Sequence, residues 1–209
     1  MDTIIQPSFT VGALQGPFQN GVITNAALGA HAEMLASQLD PPYRAGVRNS
    51  ETFFIANQAA TTYTAALTAI YTGCMVANPT TSKKMLSILK VSFSLWAAPA
   101  GIVSVGLIGG WLGSNIVTVT AALTVYGSKT LAAVVPNGAG YAGATLTGTP
   151  IWITMLGSSN TSGVLPTAGS PTWYDIGGLI EVPPGGWVAI GSQTGSSSVG
   201  SIHWREVDP

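Results

Sequence analysis

The residues able to do acid–base or nucleophilic chemistry are few: His31, His203, Cys74 and the carboxyls Asp175 and Glu181. A glycoside hydrolase needs two carboxyls flanking one cleft, one as acid and one as base or nucleophile. Asp175 and Glu181 flank an apolar IGGLI run, six positions apart. Glu181 shares strand parity with Leu179 rather than with Ile180 and Val182, which reads as a solvated acid on an outward face. His31 lies in an N-terminal arm and suits a capping or solvated role. His203 precedes Arg205 and Glu206, where an outward side chain paired with a neighbouring acid is the expected state. Cys74, between Gly73 and Met75 in an apolar run, reads as a buried thiol, and as the lone cysteine it allows no disulfide within the chain.

No His, Cys, Asp or Glu cluster stands at metal-ligand spacing. The glycine-rich stretches GAGYAG (Gly138–Gly143) and GLIGG (Gly106–Gly110) lack the strand–turn–helix setting and the Lys-Ser/Thr of a phosphate loop. Six tryptophans could stack on sugars or bases. Trp96, Trp111, Trp152, Trp187 and Trp204 fall in strand-like runs, where core or interface packing is the simpler role. The sequence therefore predicts no catalytic residue, no cofactor and no metal, and a protein that is not an enzyme.

The elements that carry these residues are strands. The closing third, Thr172–Pro209, holds two apolar runs that meet at Pro183-Pro184-Gly185-Gly186, and a third that ends in Ile202, Trp204 and Val207. Proline fixes φ and the glycines accept positive φ, so the corner is a tight turn. Ile202 and Trp204 fall on one face with His203 and Arg205 on the other, and the whole reads as a β-meander with Trp204 in the core. Leu86–Trp96 alternates Leu89, Val91, Phe93 and Leu95 with Lys90, Ser92 and Ser94, a half-buried antiparallel pattern. Phe53–Asn57, Tyr71–Ala77, Ile102–Leu112, Val117–Tyr126 and Ile151–Leu156 complete the set, with Val117, Val119, Leu123 and Val125 expected on the core side. Six glycines and prolines from Pro136 to Pro150 mark Leu131–Thr149 as a long loop or ragged edge. The runs total about eight, the number of a two-sheet jelly roll.

Residues 1–50 differ. Met1–Ile23 reads as an extended arm, and Asn25–Leu39 as a helix capped by Asn25 and ended by Asp40-Pro41-Pro42, with a short strand near Glu33–Ala36 as its competitor. Charge then gathers in Asp40–Glu51, as a solvated face or an inter-subunit ion-pair site. The expected division is an arm over 1–50 and an all-β, antiparallel sandwich domain over 51–209.

Only 7% of the chain is charged, against roughly a quarter in soluble domains. So low a count implies a surface covered by other chains. A net charge of −1 predicts no attraction to nucleic acid or anionic lipid. Leu95–Leu112 approaches the length of a membrane span, but Pro99, its glycines and serines, and its lack of Lys/Arg flanks argue against one. MDTIIQPSF has neither the basic nor the apolar region of a signal peptide, so cytoplasmic assembly is expected.

The run TGCMVANPTTSKKMLSILKVSFSL (Thr72–Leu95), the GLIGG after it, and the ending DIGGLIEVPPGGWVAIGSQTG…GSIHWREV resemble a group of tailed-phage virion proteins. In that group a TGL-x-L-x-NP…SGK-x-L strand pair and a G-x-I-x-VPPGG-x-V…W-EE-VP ending recur. The resemblance spans roughly Glu51–Pro209. It departs at Cys74, usually aliphatic, and at Arg205-Glu206-Val207-Asp208, where two acids are usual. It implies a jelly-roll virion component, a capsid decoration or cement protein that forms homotrimers and binds the major capsid protein. The alternatives are a neck, head-fibre or tail-fibre module, or a lectin-like carbohydrate-binding jelly roll that would need Trp173 or Trp187 exposed.

Overall fold

The computed structural model describes residues 8–10, 23–25, 27–28, 34–35, 44–63, 69–97, 103–110, 116–146, 149–159 and 172–209. The chain divides into two compact units, Met1–Arg44 and Ala45–Pro209. In the first, β1 (Ser8–Thr10) pairs antiparallel with β2 (Ile23–Asn25), and β3 (Ala27–Leu28) with β4 (Met34–Leu35). At Asn25, Ala27–Leu28 and Met34–Leu35, the described residues of the stretch expected to be a helix, strand is found instead, and β4 falls on the competing strand; the rest of Asn25–Leu39 lies outside the described residues. The capping and face-sharing of that stretch are purely local signals, and ladder pairing overrides them.

A single helical turn, α1 (Arg44–Arg48), leads into the second unit. Its strands are β5 (Thr52–Ala56), β6 (Thr61–Tyr63), β7 (Ile70–Ala77), β8 (Met85–Leu95), β9 (Val103–Gly110), β10 (Ile116–Leu123), β11 (Tyr126–Gly127), β12 (Ala139–Leu146), β13 (Ile151–Ser159), β14 (Thr172–Val182), β15 (Trp187–Ser192) and β16 (Ser196–Val207). They form two antiparallel sheets. Sheet I has the order β10-β12-β7-β15-β9-β13, and sheet II the order β11-β5-β16-β8-β14, with β6 also on β16.

Alternation sends side chains of both sheets into one core. Ile55, Leu86, Ile88, Val91, Phe93, Ile202 and Trp204 come from sheet II; Cys74, Val76, Val105, Leu107, Val188 and Ile190 come from sheet I. Trp204 is fully buried and packs on Phe53 with ring centroids 6.0 Å apart. Truncating a buried ring of this size typically costs about 3–5 kcal/mol. On β15 every residue is buried, because Val188 and Ile190 face this core while Trp187 and Ala189 join a second cluster on the opposite face of sheet I.

Three sequence expectations change. The closing segment is not a meander: β14 lies in sheet II, β15 in sheet I and β16 in sheet II again. The Pro-Pro-Gly-Gly corner turns the chain between sheets, and each strand finds partners far away in sequence. The glycine-rich part of Leu131–Thr149 is the ordered strand β12, inside sheet I between β10 and β7. Its first glycine neighbour, Gly138, is small because a Cβ there would stand 3.0 Å from Trp204 Nε1 and Leu86 Cδ1. Finally, β10 is a bulged edge strand, and Val119, expected in the core, is 43% exposed.

The two motifs that carried the resemblance form one unit. Gly185, at φ 86°, turns the corner, and its N–H donates to Asn78 O at 2.8 Å. Asn78 N–H in turn donates to Gly186 O at 2.9 Å. The buried Asn78 side chain then donates to Lys84 O (2.8 Å) and Val182 O (2.9 Å). One amide thus ties the Asn78–Lys84 turn to the end of β14 and the corner. Asn78→Ala would remove a buried donor from Val182 O and leave Lys84 O with Ser82 Oγ alone at 3.2 Å, and a loss of about 1–3 kcal/mol is expected in urea unfolding. A loss below about 0.5 kcal/mol would show that the clasp is dispensable.

Candidate functional site

Each chemistry-bearing residue sits where the strands put it. Asp175 faces Lys90 across the β14/β8 ladder, with the carboxylate 4.0 Å from the ammonium. Glu181 faces Ser87, three residues further along β8, because Ile176–Leu179 bulges out through Gly177 and Gly178 at φ 62° and 85°. The two carboxyls therefore stand about 10 Å apart along a strand. Both are exposed on edge strand β14, with Glu181 beside the exposed Leu179, as parity predicted. Among the described residues, a cleft of about 370 Å³ stands against sheet I, lined by Pro79, Val119, Tyr141 and Trp187, and neither carboxyl lines it.

His203 is half-buried on the outer face of sheet II, within a row that crosses five strands. Tyr126 (β11), Phe54 (β5), His203 (β16), Lys90 (β8) and Asp175 (β14) stand directly opposite one another in turn. Tyr126 stacks on Phe54 at 5.5 Å and Phe54 on His203 at 5.2 Å. The outward orientation is as expected, but the neighbour is an aromatic ring rather than an acid. Burial, and then the Lys90 ammonium, lower the imidazole pKa from its usual 6.5. Because the folded chain favours the neutral ring, this contribution to stability is complete above pH 6.5 and is lost as pH falls through the lowered pKa. Comparing melting temperatures at pH 7.5 and 5, His203→Gln should shrink the drop seen in the parent protein. An identical drop in the variant would place the acid sensitivity elsewhere.

Cys74 is fully buried, and burial pushes its thiol pKa far up, so it is inert as a nucleophile. Beside it, Tyr71 Oη accepts the Cys74 N–H at 2.7 Å and reaches Cys74 O (2.9 Å) and Ile190 O (2.8 Å) where the β7/β15 ladder ends. GLIGG and GAGYAG fall on or beside β9 and β12, as sheet glycines rather than phosphate loops. Among the described residues no three His, Cys, Asp or Glu stand close enough to hold a metal. His31 and Trp111 lie outside the described residues. No helix of the described residues is long and apolar enough to cross a membrane.

The tryptophans divide sharply. Trp204 and Trp187 are buried, at 0% and 2% exposure, so Trp187 offers no ring to a sugar. Trp96 and Trp173 are 66% and 62% exposed. Trp96 closes a strand-like run, where packing is the expected role, yet it shares parity with Lys90, Ser92 and Ser94, the polar face of β8. That parity was the available signal.

Two further features escaped the sequence. Glu206, within the charged C-terminal run, points to the core side of β16 and is 8% exposed. Its carboxylate accepts Gly138 N–H and Asn137 Nδ2–H, both at 2.7 Å, and so fastens the loop that leads into β12. Glu51, from the charged cluster, pairs within the chain with Arg205 at 2.6 Å.

The second is the placement of charge. None of the six strands of sheet I contains Asp, Glu, Lys, Arg or His. From Arg48 onward, every such residue lies on β8, β14 or β16 or in a segment flanking a sheet II strand. On edge strand β13, Ile151, Ile153 and Met155 are 64%, 41% and 54% exposed. No family model, curated protein or solved structure matches the chain.

Proposed function

We propose that the chain is a non-enzymatic structural protein of a tailed-phage virion, a decoration or cement protein. In this reading it forms homotrimers that bind and stabilise the major capsid lattice after assembly in the host cytoplasm. The observation that carries the reading is the absence of charge from sheet I, together with the exposed Ile151, Ile153 and Met155 stripe on its edge. An apolar stripe left in water invites association, and a sheet without charge has nothing to oppose it. Each unit of apolar area covered contributes about 25 cal/mol per Å². A lattice of identical contacts multiplies that gain through avidity.

The strand order supports a jelly roll as the form of the domain. With the three-residue β6, which pairs only with the start of β16, and β10, β11 and β12 set aside, β5, β7, β8, β9, β13, β14, β15 and β16 make eight strands. In a jelly roll the first, eighth, third and sixth strands share one sheet, and the second, seventh, fourth and fifth share the other. Here the corresponding orders are β5-β16-β8-β14 and β7-β15-β9-β13. In that reading β10, β11 and β12 are an insertion between the fourth and fifth strands, which widens sheet I beyond β7 and sheet II beyond β5.

Light scattering on the purified protein at micromolar concentration should give a trimer. Replacing Ile153 and Met155 together by Lys should convert it to monomer with an unchanged far-UV spectrum. A monomeric parent protein, or a variant that still assembles, would contradict the proposal.

A further inference from the structure

We propose that the outer face of sheet II carries a binding site for a neutral oligosaccharide, with Trp173 and Trp96 as its two stacking platforms. The two rings are exposed on the same face. Trp173 stands opposite Ser92 across the β14/β8 ladder. Trp96 N–H donates to Ser197 O at 2.9 Å, which continues the β8/β16 ladder one step past the end of β8. Strand alternation therefore puts Trp96 on the side of Ser92 and Ser94. Four residues separate Ser92 from Trp96, about 13 Å along the strand. A short oligosaccharide bridges such a span.

The floor between the rings is low and rich in hydroxyls. Ser92 and Ser94 of β8 lie along it, and Ser197, Val199 and Ser201 of β16 border it on the side away from Trp173, with Ser201 opposite Ser92 and Val199 opposite Ser94. Ser92 Oγ and Ser201 Oγ lie 2.7 Å apart. Two large rings rising over small side chains make a trough, and its hydroxyls both donate and accept hydrogen bonds. At the Trp173 end Lys90 Nζ lies 4.8 Å from the ring centroid, a cation–π contact that fixes the ring. Asp175 beside it supplies strong acceptor oxygens.

This chemistry selects a sugar. The C–H face of a pyranose is apolar and settles on an aromatic ring, while its hydroxyls need neutral and charged partners around the rim. Lys90 and Asp175 offset each other, so the trough has no net charge with which to attract nucleic acid or an acidic polymer. The site stands on sheet II alone and does not depend on the virion assignment.

The test is an array of neutral and acidic oligosaccharides probed with the full chain, followed by titration of the best neutral ligand. Neutral glycans should bind, and Trp173→Ala and Trp96→Ala should each weaken binding at least about tenfold. Trp173→Phe, which keeps an aromatic face, should retain most of the affinity. Because both rings are exposed, the melting temperature should not move. Binding to no neutral glycan, binding that survives both Ala variants, or binding only to acidic glycans with strong salt dependence would each overturn the site.

Discussion

The second unit depends on the position of its last strand. β16 is not at an edge: it pairs with β5 and β6 on one side and β8 on the other, so sheet II has no continuous centre until the C-terminus arrives. Its inward residues, Ile202 and Trp204 among them, then fill the core shared with sheet I. β15 does the same for sheet I by joining β7 to β9. Two centres built from the final quarter of the chain make most contacts non-local, a topology that folds slowly because loop closure precedes the gain from pairing. The Pro-Pro-Gly-Gly corner between β14 and β15, held by Asn78, sets the length and direction of the crossing from sheet II to sheet I.

The same crossing divides the surface into two chemistries. Sheet II faces outward with Lys90, Asp175, His203 and Arg205 among serines and aromatic rings, a surface content in water. The other face of sheet I holds Tyr71, Met75, Ile108, Trp187 and Ala189, which form a buried cluster of their own. From Arg48 onward the charges of the chain therefore gather on and around sheet II, with Glu206 turned to its core side.

Much of the strand content was legible, because period-two alternation is a local signal. β8 and β16 carried it plainly, with Lys90, Ser92 and Ser94 or His203 and Arg205 opposite apolar neighbours, and the structure places them accordingly. The corner at Pro183–Gly186 was legible from turn chemistry alone. Which sheet each strand joins was not, since Trp187–Ser192 reads as apolar whether it continues sheet II or crosses to sheet I. β12 was hidden by glycines whose smallness answers to Trp204 and Ile55, residues distant in sequence. Glu206 was hidden for a similar reason: its partners, Gly138 N–H and Asn137, come from a loop 68 residues and more away. For the candidate site, Trp173 could be named from sequence, whereas Trp96 required weighing strand parity above the general habit of tryptophan to be buried.

In the proposed reading, the charge-free sheet is covered by other chains in an assembled particle. Quantitative mass spectrometry of purified virions, scaled to the major capsid protein, addresses it most directly. Hundreds of copies per particle, in a fixed ratio to the capsid lattice, are expected. Absence of the chain from purified particles would contradict it.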